Sequence, residues 1–149
     1  MSARAKGLEL RPVEDIDGIL WEKFVTLSAF SGATALTRAG IGRILADPEA
    51  RTLIEQLRDE SMAVAAASGH PMSTGFVDRV NTRWTVIAPD AKSSMAIDLE
   101  RGKPIELAWL SGRMHELGIS LGIPTPAHTA VYRALHLHAR GPTDGKARK

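Results

Sequence analysis

The sequence contains no cysteine, which removes disulfides, thiolate zinc sites, iron–sulfur clusters and cysteine nucleophiles together. Aromatic residues are scarce, with three Trp, three Phe and Tyr132 making up the whole set. They fall at core-like positions with no basic stripe between them, and the net charge is only +2. Four of the cations, Arg140, Lys146, Arg148 and Lys149, stand in the last ten residues against Asp144 alone, so the basic balance belongs mainly to a tail. A nucleic-acid partner is not expected, because such surfaces gather cations on one face. Long apolar runs are missing as well. The longest, Met62 to Ala67, is far short of the roughly 20 residues of a membrane helix, and the N-terminus has no signal-like apolar stretch. The chain is expected to be soluble and cytoplasmic, without a membrane partner.

What the sequence does hold is 149 residues with 44% hydrophobic and 24% charged, the makeup of one globular domain. Helical punctuation dominates it, and the expected fold class is all-α. Ile16, Ile19, Leu20, Phe24, Leu27 and Phe30 recur at three- and four-residue spacing, predicting a long first helix with that stripe toward the core. Its later part, Ser28 to Ala35, is rich in small residues and suits close helix packing. Asp47-Pro48 predicts a cap and proline opening a second long helix that stops at Gly69. Thr74 to Trp84 reads as helical, while Trp84-Thr-Val-Ile87 is locally strand-like without a partner strand. Ser93 or Ser94 is positioned to cap a short helix ending near Gly102. Pro104 is expected to start an amphipathic helix carrying Leu107, Leu110, Met114, Leu117 and Leu121, ended by Gly122 and Pro124. Thr125-Pro126 repeats the cap-plus-proline device for a last helix. Residues 140–149 are expected to be a disordered basic tail, and 1–14 an N-terminal tail or interdomain remnant.

Most site signatures fail. Gly40-Ile-Gly42 lacks the third glycine of a dinucleotide loop and has no preceding strand. His70, His115, His128, His136 and His138 do not show metal-ligand spacing, since the last two point to different helix faces. No metal is expected.

Two stretches carry more information: Trp21-Glu22-Lys23-Phe24 with Thr34-Ala35-Leu36 downstream, and Ser94-Met95 with Asp98, Gly102 and Glu106, followed by Gly112 and Gly122-Ile-Pro-Thr-Pro126. In register, from about Trp21 to Tyr132, they resemble the C-terminal domain of ketopantoate reductase (2-dehydropantoate 2-reductase). The resemblance implies a helical domain over 15–139 without the N-terminal Rossmann domain that holds NADPH in the family. It also implies hydride transfer to a 2-oxo acid, giving a 2-hydroxy acid of the pantothenate route. Lys23 matches the family's catalytic lysine, Glu106 the glutamate on the facing helix, and Ser94 the serine that contacts substrate. An ammonium can stabilise the developing oxyanion and deliver a proton, and a carboxylate and a hydroxyl can align the substrate. Asparagines that many members carry four and eight residues after the lysine are replaced by Leu27 and Ser31, leaving Ser31 as the hydroxyl available to substrate there. A third, three residues before the serine, is replaced by Ala91. These exchanges remove amide partners for a hydroxylated acid and point to another 2-oxo acid.

Two functions follow as expectations. One is the substrate-binding, catalytic-residue-bearing half of an NADPH-dependent reductase, inactive alone, with Lys23 and Glu106 on one cleft. The other is a non-catalytic helical binding or dimerisation module of the same descent. Either should associate, as a homo-oligomer or with a separate Rossmann domain, because losing a neighbour leaves apolar surface uncovered.

Overall fold

The computed structural model describes residues 15–142. They form seven α-helices: α1 (Ile16–Thr37), α2 (Ile41–Ala46), α3 (Pro48–Ala67), α4 (Phe76–Val86), α5 (Ser94–Glu100), α6 (Ser111–Leu121) and α7 (Pro126–Leu135), with 3-10 turns at Leu107–Trp109 and His136–His138. No strand occurs among the described residues. The all-α expectation holds. The expected remnant, 1–14, lies outside the described residues, the first of which, Asp15, caps α1 by accepting from Gly18 N at 2.8 Å; of the expected tail, 140–149, only Arg140–Pro142 are described, and they continue the fold past the turn His136–His138.

The α1 helix is the axis of the domain, with α3 along its length and α5, α6 and α7 against its second half. Small residues make this possible. Val25, Ser28, Ala29 and Ser31 through Ala35 are buried, and a Cβ on Gly32 would stand 3.2 Å from both Leu57 Cδ1 and Ser111 Oγ. The buried face is not the one the spacing predicted. Ile16, Ile19, Leu20 and Leu27 are exposed. The helix is apolar nearly all the way round, so periodicity could not choose between its faces, and the smaller side chains won because neighbouring helices approach closest over them.

Three further expectations are corrected. The strand-like Trp84–Val86 segment is the last turn of α4; with no strand to pair with, its backbone is satisfied within the helix, which turns Trp84 into the core at 3% exposure. Pro104 does not start a helix. Ile105 N donates to Ala139 O at 3.0 Å, which holds this stretch against the residues after α7, and α6 begins only at Ser111. Thr125 precedes α7 without capping it through its side chain. The Glu60 carboxylate of α3 does that instead, accepting from Ala127 N at 2.7 Å and His128 N at 3.0 Å. The caps at Asp47 and Ser93 form as expected, accepting from Ala50 N at 2.8 Å and Ala96 N at 3.0 Å.

Candidate active site

Lys23 lies on the first half of α1, one turn before Leu27, two before Ser31 and three before Thr34. At 100° per residue, Thr34 returns almost to the angular position of Lys23. The same face is therefore covered at one end and open at the other. Over Thr34 it is closed by the start of α5. The Thr34 hydroxyl donates to Phe30 O at 2.8 Å, and its oxygen receives the Ser93 hydroxyl at 2.8 Å and Ser93 N–H at 3.2 Å. Ser93 is thereby both the cap of α5 and its anchor to α1, which leaves neighbouring Ser94 on the exposed side.

The start of α6 docks at Gly32, two residues before Thr34 and on another face of α1. Ser111 is buried beside Gly32 and held by His128, whose Nδ1 accepts the Ser111 hydroxyl at 3.1 Å. Nε2–H of the same ring points to Leu57 O at 2.9 Å, with Ser61 Oγ at 2.7 Å; the tautomer follows from these partners. Burial drives the His128 pKa down to about 4, with the Leu57 carbonyl opposing the shift, so the ring is a neutral structural hub. Glu60, next to Ser61, is raised above the ordinary carboxyl value by burial, a shift opposed by the two α7 N–H groups. Neither role had a local signal in the sequence, because His128 and Glu60 acquire their partners only when α3 and α7 meet.

The first half of α1 is pinned from one side. Trp21 stacks on His70 with ring centroids 5.9 Å apart. The Glu22 carboxylate accepts from Ser73 N at 3.1 Å, from the Ser73 hydroxyl, and from Arg79 at 3.4 Å. Partial burial works against ionisation there, but the Ser73 hydrogen bonds and the Arg79 charge outweigh it and hold Glu22 below its ordinary value. With Trp21 and Glu22 turned to the α3–α4 connection, Lys23 faces outward with Ile16, Ile19, Leu20 and Leu27.

The sequence-predicted residues thus divide. Ser31 is buried in the middle of α1; Ser94 and Glu106 are exposed, at the start of α5 and ahead of the turn Leu107–Trp109; Lys23 is exposed about 12 Å along the helix from Ser31. The starts of α5 and α6 meet α1 at Thr34 and Gly32 respectively. No ion pair among the described residues joins Lys23 to Glu106. A surface cleft of about 680 Å³ opens between Arg38, Arg43, Pro89 and Lys92, and another of about 430 Å³ between Leu99, Lys103 and Leu137; neither is lined by Lys23, Ser94 or Glu106. Among the described residues no group of His, Asp and Glu is placed to hold a metal ion.

The glycine pair has a packing role. A Cβ on Gly40 would lie 2.6 Å from Pro89 O, and one on Gly42 2.6 Å from Pro89 Cβ. The N–H groups of Ile41 and Gly42 are taken by Ala91 O at 3.0 Å and Pro89 O at 2.8 Å. With those donors engaged and no strand leading in, this is not a cradle for a dinucleotide pyrophosphate.

Comparison with known proteins agrees with the fold. The family model described as ketopantoate reductase PanE/ApbA C terminal matches residues 15–139. The chain is 31% identical over 129 residues to a 2-dehydropantoate 2-reductase of Pyrobaculum aerophilum, covering 87% of this chain and 46% of that protein. It is 30% identical over 142 residues to one of Archaeoglobus fulgidus, covering 95% and 46%. A crystal structure of a PanE/ApbA family ketopantoate reductase from Ralstonia eutropha superposes with a TM-score of 0.79 at 28% identity, covering 89% of this chain and 44% of that one. A dimeric ketopantoate reductase of Staphylococcus aureus gives 0.77 at 25%, covering 85% and 44%. The chain spans less than half the length of these relatives. From its helical architecture and a match over nearly all the described residues, the chain belongs to the ketopantoate reductase C-terminal domain family.

Proposed function

We propose that this chain is the substrate-binding, catalytic-residue-bearing half of an NADPH-dependent reductase that converts a 2-oxo acid to a 2-hydroxy acid, and that it does not turn over alone. The observation that carries the reading is Lys23, outward-facing on α1 in the Trp21-Glu22-Lys23-Phe24 context, inside the matched span. Gly40 and Gly42 are spent on packing, and NADPH falls, on this reading, mainly to a dinucleotide-binding domain outside the described residues.

Within this reading each side chain has a definite task. The Lys23 ammonium faces the 2-oxo oxygen, stabilises the negative charge that develops on it and supplies the proton that completes the alcohol. Glu106 accepts a hydrogen bond from Lys23 or from the nascent hydroxyl and keeps the carbonyl in line. Ser94 offers its hydroxyl to the substrate carboxylate from the start of α5, whereas Ser31 stands buried on α1. Ile16, Ile19 and Leu20, 60%, 56% and 56% exposed, form the seat for the dinucleotide-binding domain, since an apolar stripe of this kind marks an interaction surface. No described helix is long and apolar enough to cross a membrane.

The test is reconstitution. Mixing the chain with the N-terminal half of the Archaeoglobus fulgidus relative, NADPH and a 2-oxo acid should restore NADPH oxidation. Lys23→Ala should lower that rate by about 10²–10⁴-fold, the range for loss of a general acid. A complex that forms and oxidises no NADPH would instead favour the non-catalytic module, for which the uncovered apolar stripe is the supporting observation.

A further inference from the structure

The cleft of about 680 Å³ beside the end of α1 falls within the roughly 300–1,000 Å³ typical of small-molecule sites. One wall is residues 38–46, carrying Arg38, Arg43 and Ala46; the other is residues 89–92, carrying Pro89, Asp90 and Lys92. The Lys92 ammonium is partly neutralised by Glu100, 2.6 Å away. The two arginines are not. Among the described residues the arginine ion pairs and side-chain hydrogen bonds belong to Arg51, Arg58, Arg79 and Arg113, while Arg38 and Arg43 stand exposed.

Arg38 also stands where an arginine is costly. It is the C-cap of α1 at φ 56° and ψ 25°, and among the described residues no other side chain except those of glycines takes a positive φ. Glycine adopts this backbone freely, whereas a Cβ crowds it. The end of α1 does not call on the guanidinium, because Thr37 Oγ1 donates to Ala33 O at 2.7 Å and accepts from Ala39 N at 3.3 Å. The strain at Arg38 is thus not repaid by a partner within the described fold, the situation in which a strained residue points to a ligand.

We infer that this cleft binds a small phosphorylated molecule, its phosphate held by Arg38 and Arg43 and its organic body resting on Ala46 and Pro89. A guanidinium presents paired N–H donors that match phosphate oxygens. Two of them balance a phosphate dianion, whereas a carboxylate would satisfy only one. Asp90, the one acid in the lining, stands on the opposite wall, and its repulsion keeps the phosphate to the arginine side. None of Lys23, Ser94 or Glu106 lines this cleft, so the site stands or falls apart from the reductase reading.

The inference is tested on the ¹⁵N-labelled 149-residue chain at low salt with phenyl phosphate, inorganic phosphate and phenol. The first carries charge and body together, and the others carry one each. Phenyl phosphate should shift the amides of Ala39, Arg43 and Asp90 and bind at least about fivefold tighter than inorganic phosphate. Phenol should leave them unmoved. Arg43→Gln should weaken phenyl phosphate by about tenfold or more. Arg38→Gly should weaken it similarly without lowering the midpoint of thermal unfolding, because glycine relieves the backbone. Both side chains are exposed, so either variant should keep the wild-type spectral dispersion. Shifts that are absent, that scatter over basic residues outside the cleft, or that are equally tight in both variants would overturn the inference. Inorganic phosphate binding as tightly as phenyl phosphate would overturn the assignment of an organic body to the apolar wall.

Discussion

At the scale of single residues the most consequential side chain outside the proposed site is His128. It ties α3 to the start of α6 through Leu57 O, Ser61 and Ser111 while wholly buried. Its pKa in the fold is about 4 against an ordinary 6.5. The unfolded chain thus takes up the proton first as pH falls, and folding loses stability across that interval. Between pH 7 and 4 this one group should cost up to about 3 kcal/mol, with little further loss from it below 4. Glu60 works oppositely and weakly. Its raised pKa favours the folded state below the ordinary carboxyl value, and that benefit is lost as pH rises through the shifted one. Urea midpoints should therefore fall from pH 7 to pH 4. In His128→Gln this slope should flatten, and at pH 7 the variant should be less stable by about 2–4 kcal/mol. An unchanged slope would show that His128 does not govern the acid limb.

Elements are joined here by caps and close approaches that cross the chain. The N-terminus of α7 is capped by Glu60 from α3, not by its own Thr125. A glutamine keeps one acceptor oxygen in place of two, so one of the two α7 N–H groups loses its partner, an effect larger than the burial penalty relieved by removing the charge. Glu60→Gln should therefore lose about 1–2 kcal/mol in thermal or urea unfolding. Local protection of the Ala127 and His128 amides against hydrogen exchange should fall with it. Gly40 is the second case. An alanine there would drive its methyl into the Pro89 carbonyl, and Gly40→Ala should cost about 1–3 kcal/mol by overpacking. If the variant instead matched the wild type in stability, the packing role of the pair would fail.

Much of the element plan was legible in local chemistry. Asp47-Pro48 and Ser93 mark helix starts because a short polar side chain reaches back to free N–H groups within three residues. Gly122 marks the end of α6 because its φ of 68° suits glycine. Errors came where a long-range partner decided. Trp84–Val86, which local pattern left open, is helix with no strand among the described residues to pair with, and Pro104-Ile105 is kept out of a helix where Ile105 N donates to Ala139 O. The site follows the same division. The candidates Lys23, Ser94 and Glu106 come from the family resemblance alone, whereas Leu27 could not be recognised as a surface residue on a helix apolar around most of its circumference.

For the whole molecule the open face of α1 is the feature with the widest consequence. Ile16, Ile19, Leu20 and Leu27 lie together on one side of its first half, beside Lys23, in a chain spanning less than half the length of its relatives. Without its proposed partner domain the isolated chain should self-associate through this stripe. Sedimentation equilibrium should show a mass that rises with concentration, and Leu20→Glu should weaken the association by about tenfold or more while leaving the circular dichroism unchanged, because a buried unpaired carboxylate is costly. A single monomeric mass at every concentration would remove the stripe as an interface.

The sequence by itself determined the class of fold, most of the helix boundaries and the family, since caps and glycine stops are encoded within short spans where each residue's partner is a near neighbour, and the motifs that carry the family resemblance stand in register along the chain. Only the tertiary structure decided which face of α1 is buried, that His128 and Glu60 bind α3 to the later helices, and that Leu27 stands in the open beside Lys23. These depend on which surfaces reach one another once small residues let helices approach, and no local pattern records a partner that lies some seventy residues away.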